Sequence, residues 1–142
     1  MRTKSRSPVL DSLFLLTAVT VLLVLLFDYT NGFHDAANIV ATIVASRAVT
    51  PLQAVTVVAF CEFLGPLLGG TAVANTIGGF VHLDGLPPQL ALTVVLSGLV
   101  GAIAWNLGTW RFGIPASSSH ALIGGLLGAV IVATGSHHVW WG

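Results

Sequence analysis

The chain contains little charge. Only 7% of its 142 residues are Asp, Glu, Lys or Arg, against about 25% in an ordinary soluble domain. Five basic residues balance five acidic ones, so the chain has no basic surface for nucleic acid. A lone cysteine, Cys61, excludes an internal disulfide and argues against a thiolate metal site. With 55% hydrophobic residues and a mean hydropathy of +0.93, the composition is typical of a protein that resides in a lipid bilayer.

Apolar segments predict an all-α membrane protein with about five transmembrane segments. They cover residues 9–27, 28–48, 54–81, 90–110 and 120–134. A membrane-spanning helix needs roughly 20 apolar residues, so the first segment is too long for a signal peptide. The last segment is shorter and follows Gly113-Ile-Pro115, which predicts a broken or re-entrant helix. We expect a basic tail at 1–8, a transmembrane repeat at 9–134 and a short, truncated tail at 135–142.

The second segment carries its polar residues on one helical face. At 100° per residue they fall within an arc of about 80°. They are Asp28, Asn31, Asp35, Asn38 and Thr42. A carboxylate at membrane depth costs several kcal/mol unless it meets a cation, a proton or donors. We therefore predict a functional role for Asp35 and Asn38, whereas a hydrated, interfacial position for Asp28 is equally open.

A second polar site precedes the last apolar segment, where Ser117, Ser118 and Ser119 follow Pro115. One serine at this position is an ordinary helix N-cap, but three in a row exceed what capping needs. Free backbone N–H groups and the helix dipole favour an anion at a helix start. In transporters, the start of a half-helix at the membrane midplane is where an anionic substrate is held.

Other polar residues are weaker candidates. Glu62 has apolar neighbours on both sides, which predicts a buried carboxylate that needs a partner. His34, His120 and Asn106 are each open to a structural interpretation as satisfied polar groups in a helix bundle. The spacings Gly65-x-x-x-Gly69 and Gly124-x-x-x-Gly128 predict close packing of helices.

Two motifs resemble the signatures of the inorganic phosphate transporter (PiT) family, in its bacterial low-affinity branch. The first is Gly32-Phe-His-Asp-Ala-Ala-Asn38, followed by Ser46-Arg-Ala-Val-Thr50, and the second is Pro115-Ala-Ser-Ser-Ser-His120. Order, spacing and flanking residues agree from Phe27 to Gly128. The chain departs from the family pattern at the third motif position, where His34 replaces Asn.

The resemblance implies a transporter built from two inverted repeats, of which this chain holds the N-terminal repeat only. It implies multi-pass insertion in the inner (plasma) membrane and cation-coupled transport of inorganic phosphate, with no cofactor and no enzyme activity. A second repeat or a second chain completes the binding site in this interpretation. A homo-oligomer is left open.

The resemblance also implies roles for individual residues. In this interpretation phosphate is bound by Asp35, Ser117, Ser118 and Ser119. The coupling cation is bound by Asp35, Asn38, Glu62 and Asn31. Further polar candidates are His34, Arg47, Thr42 and His120. Two anions in one cavity require a cation, so either Asp35 and Asn38 bind sodium, or Asp35 or Glu62 takes a proton. A metal–phosphate complex as the transported species is left open as well.

Three alternatives remain at this point. A transporter of sulfate or another oxyanion on the same scaffold is the main one. An intramembrane hydrolase using Ser118, His120 and Asp35 lacks the Gly-x-Ser-x-Gly turn of serine hydrolases. A structural or channel-forming subunit explains the glycines but not the two grouped sets of polar residues.

Overall fold

The computed structural model describes residues 8–140 and shows a helical protein. The helices are α1 Pro8–Ala45, α2 Pro51–Gly69, α3 Ala72–Gly78, α4 Pro88–Phe112 and α5 Ser118–Thr134, with a 3₁₀ turn at Ser136–His138. Three of them, α1, α2 and α4, are long and apolar enough to cross a membrane, and α5 is a shorter apolar helix. The predicted all-α membrane class is confirmed, while most of the predicted basic tail lies outside the described residues.

The first two predicted segments are wrong as separate elements, because they form the single 38-residue helix α1. Such a helix rises about 57 Å, nearly twice the roughly 30 Å thickness of the hydrocarbon core. No proline occurs between Pro8 and Pro51, and Gly32 alone weakens a helix without ending it. The polar face that begins at Asp28 therefore continues directly from the apolar N-terminal half of α1.

The third predicted segment, residues 54–81, is divided into α2 and α3. Thr50 caps the start of α2, since its Oγ1 accepts from the Gln53 N–H at 3.3 Å and the Gln53 Oε1 accepts from the Thr50 N–H at 3.0 Å. At the other end, Gly70 has a positive φ of 70°, a conformation that glycine adopts without strain. The glycine pair at 69–70 thus ends α2 earlier than the hydropathy suggests.

The predicted break between the last two segments is confirmed. Gly113 ends α4 in the left-handed conformation, with φ 64° and ψ 28°, and the Ile114 N–H donates to the Thr109 carbonyl at 2.9 Å. Residues 113–117 form a short loop, which we call the serine loop together with the α5 residues Ser118 and Ser119. The re-entrant course of α5 stays a prediction.

Helix α4 forms the centre of the fold, because it packs against both α1 and α5. One buried cluster joins Phe27 of α1 to Leu99, Ala102 and Ile103 of α4. Two turns further along both helices, the rings of Phe33 and Trp110 meet edge to face at 5.2 Å. The residue numbers increase together on the two helices, so α1 and α4 run parallel along this interface.

Helices α4 and α5 run antiparallel and approach closely at Gly98 and Gly125. A Cβ atom on Gly98 would lie 2.8 Å from Cδ2 of Leu126, and one on Gly125 would collide with the carbonyl oxygen of Gly98. The glycines predicted to pack closely lie elsewhere, since a Cβ atom on Gly124 or Gly128 would meet no other atom within 4 Å. Gly65 and Gly69 are equally open. That prediction is wrong within the described chain.

We expect Gly125→Ala to destabilise the protein by about 1–3 kcal/mol, the usual cost of overpacking a tight contact. The added methyl group meets backbone atoms of α4, which cannot rotate away. Thermal unfolding in detergent micelles measures the effect. Gly124→Ala is the matched control, because its methyl group enters open space; equal unfolding midpoints for the two variants would contradict the close approach.

Candidate functional site

The two predicted polar sites meet through one hydrogen bond. The Ser118 hydroxyl donates to Oδ2 of Asp35 at 3.0 Å, although the two residues are 83 positions apart in the chain. Ser118 is 6% exposed, and the Asp35 side chain is 33% exposed. The parallel packing of α1 on α4 and the short serine loop between α4 and α5 bring them together. The structure thus brings together two of the residues assigned to phosphate, while their roles in phosphate binding stay predictions.

Asp35 has a second partner in His34, which is 5% exposed. Nδ1 of His34 lies 3.2 Å from Oδ1 of Asp35. Its other ring nitrogen, Nε2, lies 3.5 Å from Oγ1 of Thr109 on α4. Thr109 was missed by the sequence reasoning, because a threonine in a helix ordinarily bonds to a carbonyl one turn back and gives no further signal. The result is a continuous polar chain from Thr109 through His34 and Asp35 to Ser118.

The three serines of the loop have three different environments. Ser117 is the N-cap of α5: its Oγ accepts from the His120 N–H at 3.3 Å and lies 2.8 Å from Nδ1 of His120. Ser118 is buried against Asp35. Ser119 is exposed, and its hydroxyl has no hydrogen-bond partner among residues 8–140. The helix start leaves N–H groups without intrahelical partners, so donors remain free to bind an anion here.

Two asparagines hold polar atoms that are buried without a hydrogen-bond partner in the described part of the chain. These atoms are Oδ1 of Asn31 and both Oδ1 and Nδ2 of Asn106. Asn106 is only 1% exposed, so its interpretation as a satisfied core residue is wrong. Because α1 and α4 run parallel, Asn31 and Asn106 lie at the same level of the two helices. This level is between the Phe27 cluster and the His34–Thr109 contact.

A cavity of about 350 Å³ adjoins His34 at the serine loop. Its lining includes His34, Asn38, Thr109 and Pro115. Asn38 is exposed within this chain and faces this space without making a hydrogen bond among residues 8–140. The cavity is large enough for several water molecules. Solvent can therefore reach the polar chain from the loop side.

Four further predicted residues lie outside the polar chain that runs from Thr109 to Ser118. Glu62 is exposed on α2, so its predicted burial is wrong within the described chain. It forms no ion pair or hydrogen bond with any of residues 8–140. Arg47 follows the end of α1, and the ten residues from Asp35 to Ala45 alone rise about 15 Å. Thr42 is exposed on α1, and His120 is exposed beside Ser117.

Among residues 8–140, no group of three His, Cys, Asp or Glu side chains is placed to hold a metal ion. The chemistry of the site therefore rests on one carboxylate, one imidazole, hydroxyl groups, amides and the N–H groups at the start of α5. Such a set can hold an oxyanion and a proton. Ser118 itself is not paired with a histidine, because its hydroxyl donates to the Asp35 carboxylate.

Comparison with known proteins places these residues in a family. A sequence profile of the phosphate transporter family matches residues 31–142, which include Asp35 and the serine loop. A probable low-affinity inorganic phosphate transporter of Streptomyces halstedii is 49% identical over 130 residues, covering 89% of this chain and 59% of that protein. A protein of the same description from Mycobacterium leprae is 50% identical over 131 residues, covering 92% of this chain and 30% of that protein.

The low-affinity inorganic phosphate transporter PitB of Escherichia coli is 48% identical over 122 residues, covering 80% of this chain and 23% of that protein. The chain thus spans between about a quarter and three fifths of these relatives. No solved structure matches it. The chain belongs to the phosphate transporter family, a family of membrane transporters and not of enzymes.

Proposed function

We propose that the chain forms the first half of a cation-coupled transporter of inorganic phosphate, with Asp35 and the serine loop as one side of the binding site. The observation that carries this proposal is the Ser118–Asp35 hydrogen bond, which joins the polar face of α1 to the start of α5. Both elements lie within the family match. The low-affinity phosphate transport named for the relatives supports the choice of phosphate.

The start of α5 supplies attraction for an oxyanion. Its unpaired N–H groups, the exposed Ser119 hydroxyl and the positive end of the helix dipole are all donors or positive partial charges. None of these is specific for phosphate over sulfate. These groups alone would therefore bind an oxyanion without distinguishing phosphate from sulfate.

Asp35 distinguishes phosphate from sulfate in this proposal. Hydrogen phosphate carries a proton that an ionised carboxylate can accept, whereas sulfate at neutral pH carries none. An unpaired negative charge placed against the wrong ligand is an effective way to reject it. Two anions next to each other require a cation, so anion entry depends on cation entry. Sodium and a proton both meet this requirement.

The chain also presents surfaces that fit a second half. Glu62 and the apolar side chains of Phe60, Phe63 and Leu68 are all exposed on α2. An isolated carboxylate facing lipid is unfavourable by several kcal/mol, so a polar group from another segment is expected to cover it. We propose that a second repeat or a second chain fills this place, in keeping with the greater length of the relatives.

Uptake into proteoliposomes tests the proposal. We suggest a chimera in which this chain replaces the matching segment of the Escherichia coli relative, since the two are 48% identical over 122 residues. We expect cation-dependent uptake of labelled phosphate by the chimera, little uptake of sulfate, and much slower uptake by the chain alone. Liposomes with the unmodified relative are the positive control. Equal uptake of sulfate and phosphate would favour the general oxyanion transporter instead.

A further inference from the structure

We propose that Asn106 is a positioning residue of the phosphate site, an inference that rests on the proposed function. Its side-chain amide pairs with that of Asn31 in a second, open arrangement of α1 against α4. In the closed arrangement, which is that of the structure, the amides are unpaired and the buried hydroxyl of Ser118 is bound to Asp35. The two arrangements exchange one buried hydrogen bond for another.

The two amides lie on facing sides of the α1–α4 interface. Asn31 is one turn from both Phe27 and His34, which are the α1 residues that contact α4. On α4, Asn106 is one turn before Thr109, whose Oγ1 lies 3.5 Å from Nε2 of His34. Because both asparagines lie at the same level of two parallel helices, their side chains face the same interface.

The polar atoms of these amides are unpaired and complementary. Oδ1 of Asn31 and both Oδ1 and Nδ2 of Asn106 are buried without a hydrogen-bond partner in the described chain. An amide nitrogen donates and an amide oxygen accepts, so each asparagine supplies what the other lacks. Asn106 is only 1% exposed within this chain, so a segment of a second half cannot reach it. Since buried polar groups in native proteins are paired with few exceptions, its partner is expected inside this interface.

Phosphate binding requires a change at the serine loop. The Ser118 hydroxyl has one hydrogen to donate, and in the closed arrangement it donates to Oδ2 of Asp35 at 3.0 Å. The same hydroxyl cannot donate to phosphate at the same time, and it is buried as well. The proposed function assigns phosphate binding to Ser118, so Asp35 has to move away from the loop before the anion is held.

Helix α1 has a place to bend between the two sets of contacts. Gly32 is the only glycine of α1, and it lies between Asn31 and Asp35. A Cβ atom on Gly32 would meet no other atom within 4 Å, so the backbone has room to move there. Glycine also weakens a helix interior. Bending at Gly32 moves Asp35 away from the serine loop and lets Asn31 approach Asn106.

The exchange of contacts keeps the two arrangements close in free energy. The closed one is stabilised by the Ser118–Asp35 bond and leaves the amides unpaired. The open one pairs the amides and leaves the hydroxyl and the carboxylate free for phosphate. A ligand that binds one arrangement only shifts the population toward it. Loss of the amide pair therefore makes the open arrangement rarer and lowers the apparent affinity for phosphate.

Asn106→Leu in the chimera tests the proposal. Leucine has the branching of asparagine but no polar atoms, so it removes two unpaired atoms from the closed arrangement. We expect the unfolding midpoint in detergent micelles to rise by a few degrees. In proteoliposomes, we expect the phosphate concentration for half-maximal uptake to rise several-fold. The maximal rate should change less, because saturating phosphate draws the protein into the open arrangement.

A double-mutant cycle with Asn31→Leu tests whether the two amides pair with each other. One leucine already breaks the pair, so the double variant should have the half-maximal concentration of either single variant. Thr93→Val is the matched control, because it also removes a polar group from α4. This hydroxyl is exposed and donates to the Gln89 carbonyl at 2.7 Å, and its loss should leave both the unfolding midpoint and the half-maximal concentration unchanged.

Three results would overturn the proposal. A lower unfolding midpoint for Asn106→Leu would show that its amide already has a partner, such as an ordered internal water. A raised midpoint with an unchanged half-maximal concentration would show that the amide plays no part in phosphate binding. A double variant whose effect equals the product of the two single effects would show that the asparagines act independently. Each result leaves uptake by the unmodified chimera untouched, so failure of this inference is distinguishable from failure of the proposed function.

Discussion

Asp35→Asn is expected to abolish cation-dependent phosphate uptake by the chimera while leaving membrane insertion and abundance nearly unchanged. Asparagine keeps the shape of the side chain and can still accept the Ser118 hydroxyl through its amide oxygen. It removes the charge that the coupling cation neutralises and the acceptor for the phosphate proton. Losing a hydrogen bond to a charged group costs roughly 1.5–3 kcal/mol, which alone weakens phosphate binding about ten- to 150-fold. Loss of the charge that the cation neutralises removes the remaining cation-dependent uptake.

The same substitution should weaken the rejection of sulfate, because the repulsive charge is gone. Uptake of labelled phosphate and sulfate is measured in parallel, with and without an imposed cation gradient. Asp28→Asn is the matched control: it lies on the same polar face of α1 but is exposed and makes no hydrogen bond within residues 8–140. Wild-type uptake with unchanged cation dependence in Asp35→Asn would show that Asp35 is a tolerated structural residue.

The fold could be predicted from the sequence where local residues end a helix. Gly113 and Pro115 cannot continue α4, so hydropathy together with turn residues located the break before α5 correctly. The continuity of α1 could not be predicted in the same way. Polar residues 28–38 lower hydropathy without disturbing backbone hydrogen bonds, so a change in composition was mistaken for a boundary. The reverse error occurred at Gly70, where a boundary fell within an apolar segment.

The site could be predicted in part for a related reason. Asp35 was a candidate because an intramembrane carboxylate is costly, and the three serines were candidates because they exceed what an N-cap needs. The contact between His34 and Thr109 spans 75 positions and depends on the parallel register of α1 and α4. Sequence periodicity shows which face of a helix is polar but not which residue of another helix meets it. For the same reason, the exposure of Glu62 and the unpaired amide of Asn106 became visible only in the fold.

Ser118→Ala is expected to lower the apparent affinity for phosphate and sulfate together. Ser118 is buried and donates to Asp35, so alanine leaves one carboxylate oxygen without this donor and removes a hydroxyl from the loop that faces the anion. Losing a hydrogen bond to a charged group costs roughly 1.5–3 kcal/mol, or about ten- to 150-fold in affinity. The measurement is the phosphate concentration that gives half-maximal uptake, with sulfate as competitor.

The two anions should be affected alike, because a hydroxyl donor attracts any oxyanion, whereas the charge of Asp35 distinguishes between them. Ser97→Ala is the matched control, since this exposed hydroxyl on α4 bonds only to the Thr93 carbonyl, at 2.8 Å, among the described residues. It should leave the half-maximal concentration unchanged. If Ser118→Ala instead changed the preference for phosphate over sulfate while its affinity for phosphate stayed the same, selection would depend on the serine loop. Asp35 would then lose the role in anion recognition that its contact with Ser118 supports.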